Sequence, residues 1–258
     1  MAEYMYTWLS TGESHRGAVR KLNEDAYLER PDLGLWLVAD GMGGHHGGNI
    51  ASNLIVDELN KMADHNFKDR FELLSWLHRS IDSANTELRN LAKSRYKGGV
   101  VGSTVVALLL DQNGYTLTWA GDSRAYLLRD RLLTQITKDH SQVNDLVDSG
   151  VINEEEAEAH PLANVITRAV GADDTIEMET MHGEFQNEDI FMLCSDGINK
   201  ELVDLEIAEL LVNGSLMESR RALIYSALVR KARDNVTVVL VKVNKKVVAE
   251  YCDTTIPC

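Results

Sequence analysis

The sequence predicts an α+β fold in which β-sheets pack on one another and helices cover them from outside. Strand-like segments come in groups separated by pairs of helix-like segments, which disfavours the regular alternation of a doubly wound parallel sheet. Two of those strands flank Asp111-Gln112-Asn113-Gly114, where Asn-Gly suits the positive φ of an antiparallel hairpin. The 258 residues suffice for a large core, and with 3 prolines, no Gly/Ser-rich linker and no internal repeat, a single domain is expected.

In chain order, 4–9 reads as an aromatic strand, 26–28 as a short one, and 33–39 as a buried one ending in Asp40-Gly41. After the glycine-rich stretch 41–48, apolar residues from Ile50 to Met62 recur at helical spacing. A second helix within 69–95 carries the stripe Leu74, Leu77, Ile81, Ala84, Leu88 and Leu91, which suits a helix lying on a sheet. Strands follow at 103–110, 115–120 and 124–128. Residues 139–170 change character to short polar helices, 141–148 and 153–159, with Gly150 as a stop, and look like an insertion over a site. Strands are expected at 175–185 and 189–194, helices at 205–211 and 216–233, and a last strand at 235–244. The domain is expected to span 1–245, with 246–258 an edge strand or tail.

The formal net charge of -14 disfavours nucleic acid and anionic membrane surfaces, which need a positive footprint. No apolar run is long enough to span a bilayer and the first residues lack a signal-peptide pattern, so a cytoplasmic protein is expected. Cys194, Cys252 and Cys258 do not make a disulfide framework; Cys194 reads as a small buried thiol and the other two as thiols of a loose tail.

Four aspartates stand in separate turns: Asp40 before Gly41, Asp122 in Gly121-Asp122-Ser123-Arg124, Asp196 before Gly197, and Asp234 before Asn235. A lone Asp-Gly is usually only a turn. Repeated after strand-like or helix-end segments, the pattern gathers carboxylates whose repulsion and desolvation call for a hard cation; oxygen ligands favour Mg²⁺ or Mn²⁺ over zinc. The adjacent His45 and His46 do not obviously converge, and an exposed loop suits them better. Arg20 stands four residues ahead of the acidic pair Glu24-Asp25; it could grip a phosphate or make an ordinary surface ion pair.

Taken together, Arg20, Asn23-Glu24-Asp25, Val38-Ala39-Asp40-Gly41-Met42-Gly43-Gly44-His45, Gly102-Ser103-Thr104, Gly121-Asp122-Ser123-Arg124, Thr137-Lys138-Asp139-His140-Ser141, Ser195-Asp196-Gly197 and Arg233-Asp234-Asn235 occur in the order found in one family. Over about residues 10–243 the chain resembles the bacterial PP2C-type (PPM family) metal-dependent protein serine/threonine phosphatases. The resemblance implies two antiparallel sheets packed as a sandwich between helices, with a flap at 139–170. It implies that Asp40 bridges two metals, that Asp196 and Asp234 complete the first, and that the Gly41 carbonyl, with Glu24 directly or through water, serves the second. Asp122 with Asp196 would hold a third ion, Asp25 would sit one layer behind, Arg20 would bind the substrate phosphate, and Asn164 would stand near the third ion. The reaction implied is direct attack of a metal-bridged water on phosphoserine or phosphothreonine. Expected partners are phosphorylated targets of a serine/threonine kinase, and the kinase itself, met by a monomer. Met42 stands where many members have histidine, so a histidine general acid does not carry over. Two other readings are a non-catalytic phosphoprotein-binding module, disfavoured because Asp40, Asp196 and Asp234 are all present, and a small-molecule phosphohydrolase on the same fold.

Overall fold

A computed structural model describes residues 3–43, 47–61, 66–96, 99–158 and 160–248. The first half holds β1 (Glu3–His15), β2 (Asp25–Arg30), β3 (Leu35–Gly43), α1 (Gly47–Asn60), α2 (Arg70–Arg95), β4 (Val101–Ser103), β5 (Val105–Asp111), β6 (Gly114–Ala120), β7 (Arg124–Arg129) and β8 (Leu132–Gln135). The second holds α3 (Gln142–Asp148), α4 (Glu154–Glu158), β9 (Glu179–Gly183), β10 (Ile190–Cys194), α5 (Asp196–Asn199), α6 (Asp204–Val212), α7 (Leu216–Val229) and β11 (Val236–Val248). The strands make two antiparallel sheets, β1-β11-β10-β7-β8 and β2-β3-β5-β6-β9, with β4 paired to the end of β3.

Side-chain alternation along the strands sets the layers, because successive residues point to opposite faces. Trp36 and Val38 of β3 join Val106, Leu108, Phe191, Leu193, Val239 and Val241 in the core between the sheets. The intervening Leu35, Leu37 and Ala39 pack under α1 and α2 through Ile55, Leu59, Leu77 and Ile81. On the other sheet Met192, Cys194, Val238 and Leu240 meet Ile198, Ile207, Leu223 and Ala227 of the helices after β10. The result is the expected helix-sheet-sheet-helix arrangement. Among the described residues, no helix is long and apolar enough to cross a membrane.

Several elements differ from expectation for local reasons. The hairpin at 111–114 forms, but Asn113 does not take a positive φ; Asp111 Oδ1 instead accepts from Asn113 N at 2.8 Å, and Gly114 alone has φ +150. The β7-β8 hairpin was not expected: its turn is Asp130-Arg131, at φ +51 and +67, a pair without the Asn-Gly signal. The strand expected at 103–110 breaks at Thr104, whose backbone N donates to Asp40 O at 2.9 Å. The strand expected at 175–185 shrinks to β9, since buried Asn85 of α2 donates to Asp173 O at 3.0 Å and holds the preceding loop to the helix. The helix expected at 216–233 ends at Val229, and α5 was not expected. β1 runs on to His15 and β11 to Val248, paired along their lengths, so 246–248 continue β11. Met62, Ala159 and the rest of the tail, with Cys252 and Cys258, lie outside the described residues.

The insertion is stitched down at both ends. Ser141 bridges Ile166, Val170 bridges Ser103, and Arg124 binds Asp139 at its start through contacts of 2.7 to 3.0 Å. Gly150, at φ +70, ends α3 as expected.

Trp36 is fully buried between the sheets. Trp36→Ala should lower unfolding free energy by about 3 to 5 kcal/mol, whereas Leu205→Ala, at an 80% exposed position, should change it by less than about 0.5 kcal/mol. Urea denaturation of both variants checks the contrast.

Candidate metal centre

The alternation that fills the space between the sheets also delivers the acids to one end of it. On β3 the next residue in step with Trp36 and Val38 is Asp40, and on β2 the residue in step with Tyr27 is Asp25. Asp25 and Asp40 are register partners on adjacent strands. From the other sheet, Thr237 precedes Val239 and Ser195 follows Leu193 in the same step. Polar groups of both sheets therefore meet where the apolar filling stops.

Asp25 ties them together. Its Oδ2 accepts from Ser195 Oγ at 2.7 Å and from Thr237 Oγ1 at 2.6 Å, while Oδ1 is buried without a partner. In front of it opens a cleft of about 680 Å³ lined by Arg20, Glu24, Asp40, Gly41, Asp122, Asn164, Asp196 and Asp234. The candidate residues named from sequence, Asp25 behind and the others around the cleft, are thus gathered from distant parts of the chain. Asn164 is an exposed residue of the insertion, at the rim. His45 and His46 lie outside the described residues.

The segments that carry the acids are held largely through backbone contacts of the acids or of their neighbours. Asp40 N donates to Thr104 Oγ1 at 3.1 Å, and Asp40 O accepts from Thr104 N at 2.9 Å and Ser103 Oγ at 3.0 Å. Gly41 N donates to Glu24 O at 3.1 Å; a Cβ at Gly41 would stand 2.1 Å from Gly48 O, so the close approach needs glycine. The Asp122 turn is locked to the insertion, with Gly121 N donating to His140 Nδ1 at 3.1 Å and His140 N to Gly121 O at 3.0 Å. Asp196 opens α5, where Gly197 admits Asn235 O within 2.0 Å of a would-be Cβ. Asn235 fastens the Arg20 segment: its Oδ1 accepts from Glu24 N at 2.8 Å and its Nδ2 donates to Arg16 O and Leu22 O.

The electrostatics are those of acids short of positive charge. Burial, then repulsion from Asp25, Asp196, Asp122 and Asp234, holds the Asp40 carboxyl well above the usual range. Burial pushes Asp25 up to about 7 against the hydrogen bonds of Thr237 and Ser195, and pushes Asp122 to about 7 with help from Asp196 and opposition from Lys200. Asp196 is raised by burial, again opposed by Lys200.

Among the described residues, no three His, Cys, Asp or Glu side chains are drawn close enough, as arranged, to hold an ion. Two of the acids are engaged by cations of the chain: Arg20 Nη2 donates to Asp234 Oδ2 at 2.8 Å and Lys200 Nζ to Asp196 Oδ2. The donor chemistry still fits a hard divalent cation, being oxygen throughout, with Asp196 Oδ1 and Asp25 Oδ1 each buried without a partner. Lys200 had escaped the sequence, although a helix starting at Asp196 would have placed it one turn on. Thr104 and Ser195 had entered only as parts of motifs.

The Listeria monocytogenes protein named serine/threonine phosphatase stp is 34% identical over 237 residues, covering 88% of this chain and 92% of its own. PppA of Pseudomonas aeruginosa, described as a key regulatory component of T6SS, superposes with a TM-score of 0.85 at 38% identity over 93% of this chain and 100% of its own. The catalytic domain of the serine/threonine protein phosphatase PstP, solved with two manganese ions, gives a TM-score of 0.79 at 35% identity over 93% and 99%. The sequence pattern of the family described as protein phosphatase 2C matches residues 11–230, and with these relatives it shows that the chain belongs to that family.

Proposed function

We propose that the protein is a divalent-metal-dependent phosphatase that hydrolyses phosphoserine and phosphothreonine in proteins. The observation that carries the proposal is the convergence of Asp40, Asp196, Asp234 and Arg20 on one open cleft. The similarity to serine/threonine phosphatases over most of the chain supports the substrate class, and the manganese-bound relative supports the metal dependence.

In this proposal Asp40 would help hold two Mg²⁺ or Mn²⁺ ions, one together with Asp196 and Asp234 and the other together with the Gly41 carbonyl and Glu24. Asp122 and Asp196 would hold a third, accessory ion, with Asn164 lining the same cleft. Such ions would supply a water of lowered pKa and neutralise charge building on the phosphoryl oxygens. The chain's own groups do the rest. Asp25, clamped by Ser195 and Thr237, keeps the acids of the two sheets in register. Arg20, about half-exposed at the cleft, offers its planar fork to the substrate phosphate. Cys194 takes no part as a nucleophile: it is fully buried, and burial pushes its thiol up to about 12. The domain at 1–245 with its insertion, a monomeric state, a cytoplasmic site of action, and kinase targets together with the kinase as substrates complete the proposal.

Phosphate release from a phosphothreonine peptide should require Mn²⁺ or Mg²⁺ and stop with EDTA. Asp40→Asn should lower turnover by more than about a hundredfold, since even the groups behind metal ligands are worth 10 to 100-fold; undiminished turnover in Asp196→Asn would overturn the assignment. Arg20→Ala should raise KM by about tenfold or more with a smaller change in kcat, as expected of a phosphate contact made in the ground state. Thr237→Val, which removes the 2.6 Å bond to Asp25, should weaken Mn²⁺ binding by about tenfold in a calorimetric titration.

A further inference from the structure

Lys200 is a cation of the cleft to which the mechanism gives no task. Its place is set by α5. Lys200 N donates to Asp196 O at 2.9 Å, and the one-turn spacing lays the side chain over that acid. The ammonium binds Asp196 Oδ2, while Oδ1 of the same carboxylate is buried with no partner. Asp122 lines the same cleft; the ammonium's charge opposes the burial and Asp196 repulsion that raise the Asp122 carboxyl, and Asp196 first, then Asp122, keep the ammonium charged against burial. Asp122 and Asp196, which repel each other, therefore share one tethered positive charge. An ordinary exposed pair one helical turn apart would leave neither acid buried nor an oxygen orphaned.

We infer that the Lys200 ammonium is a built-in competitor for the accessory divalent cation of Asp122 and Asp196, which binds there only by displacing Nζ. The inference rests on the metal-dependent phosphatase assignment. One positive charge cannot balance two carboxylates, so a divalent ion gains more from the pair than the ammonium does. Tethering nevertheless gives the ammonium an effective concentration of about millimolar order, so it holds the place until free metal rises to compete. Lys200 thereby sets the metal concentration at which the accessory position fills. It acts on the ion and is a tuning residue, with no contact to the reacting atoms required.

Mn²⁺ binding to the full chain, followed by calorimetry and by the electron paramagnetic resonance of free Mn²⁺, tests this. Lys200→Ala and the near-isosteric Lys200→Gln should bind the weakest ion about tenfold more tightly than the parent, the scale on which a close opposite charge acts. Lys200→Arg, which keeps the charge, should stay weak, and adding Asp122→Asn to Lys200→Ala should abolish the gain. Unchanged or weaker binding of that ion in both neutral variants, with two tighter ions still bound, overturns the competition and leaves the phosphatase assignment standing. Failure of the parent protein to bind any Mn²⁺ overturns both.

Discussion

Asp25 and Asp40 face the same space as register partners on adjacent strands, and Asp122, Asp196 and Asp234 add their charge at the same end of the sandwich. Carboxylates in such a place raise one another's proton affinity and cannot all be stable without positive charge close by. Much of the surrounding structure answers that constraint. Ser195 and Thr237 feed two hydrogen bonds into Asp25, and Arg20 and Lys200 each cover one further acid. A site of this kind is prepared for cations before any substrate is considered.

The precision of the arrangement comes from the sheets. The inter-sheet core of Trp36, Phe191, Val239 and their neighbours fixes the path of β3, on which Asp40 stands, and the end of β10, just beyond which Asp196 stands. Loops then bring the remaining groups, each pinned by a side chain of another loop. Asn235 pins the Arg20 to Glu24 segment, Thr104 pins Asp40, and His140 pins the Asp122 turn. Rigid strands with cross-braced loops hold polar groups to the tolerance that chemistry needs.

The layers were legible in the sequence because apolar strand-like runs came in groups separated by pairs of helix-like segments, and so was the gathering of acids at turns. What escaped was short or cooperative. The Asp130-Arg131 turn adopts positive φ without glycine, and a four-residue helix such as α5 has no periodicity to detect. Missing α5 meant missing Lys200, since only a helical turn puts it over Asp196. The clamp on Asp25 joins residues 170 and 212 positions away, which local pattern cannot foresee.

Arg124 and Arg129 differ in kind from Arg20 and Lys200, and the difference bears on how the cleft works. Arg124 grips Asp139 through three contacts of 2.7 to 3.0 Å, and Arg129 grips Asp189, only 2% exposed, through three of 2.6 to 3.3 Å. Planar forks in such double contacts are braces, costly to open. Arg20 and Lys200, by contrast, reach their acids through a single nitrogen each and are 48% and 41% exposed. A single, half-solvated contact is cheap to exchange. Under the proposed mechanism Asp196 and Asp234 would exchange these cations for metal ions and Arg20 would turn to a phosphate, and for that the useful cation is one strong enough to relieve repulsion and weak enough to be replaced.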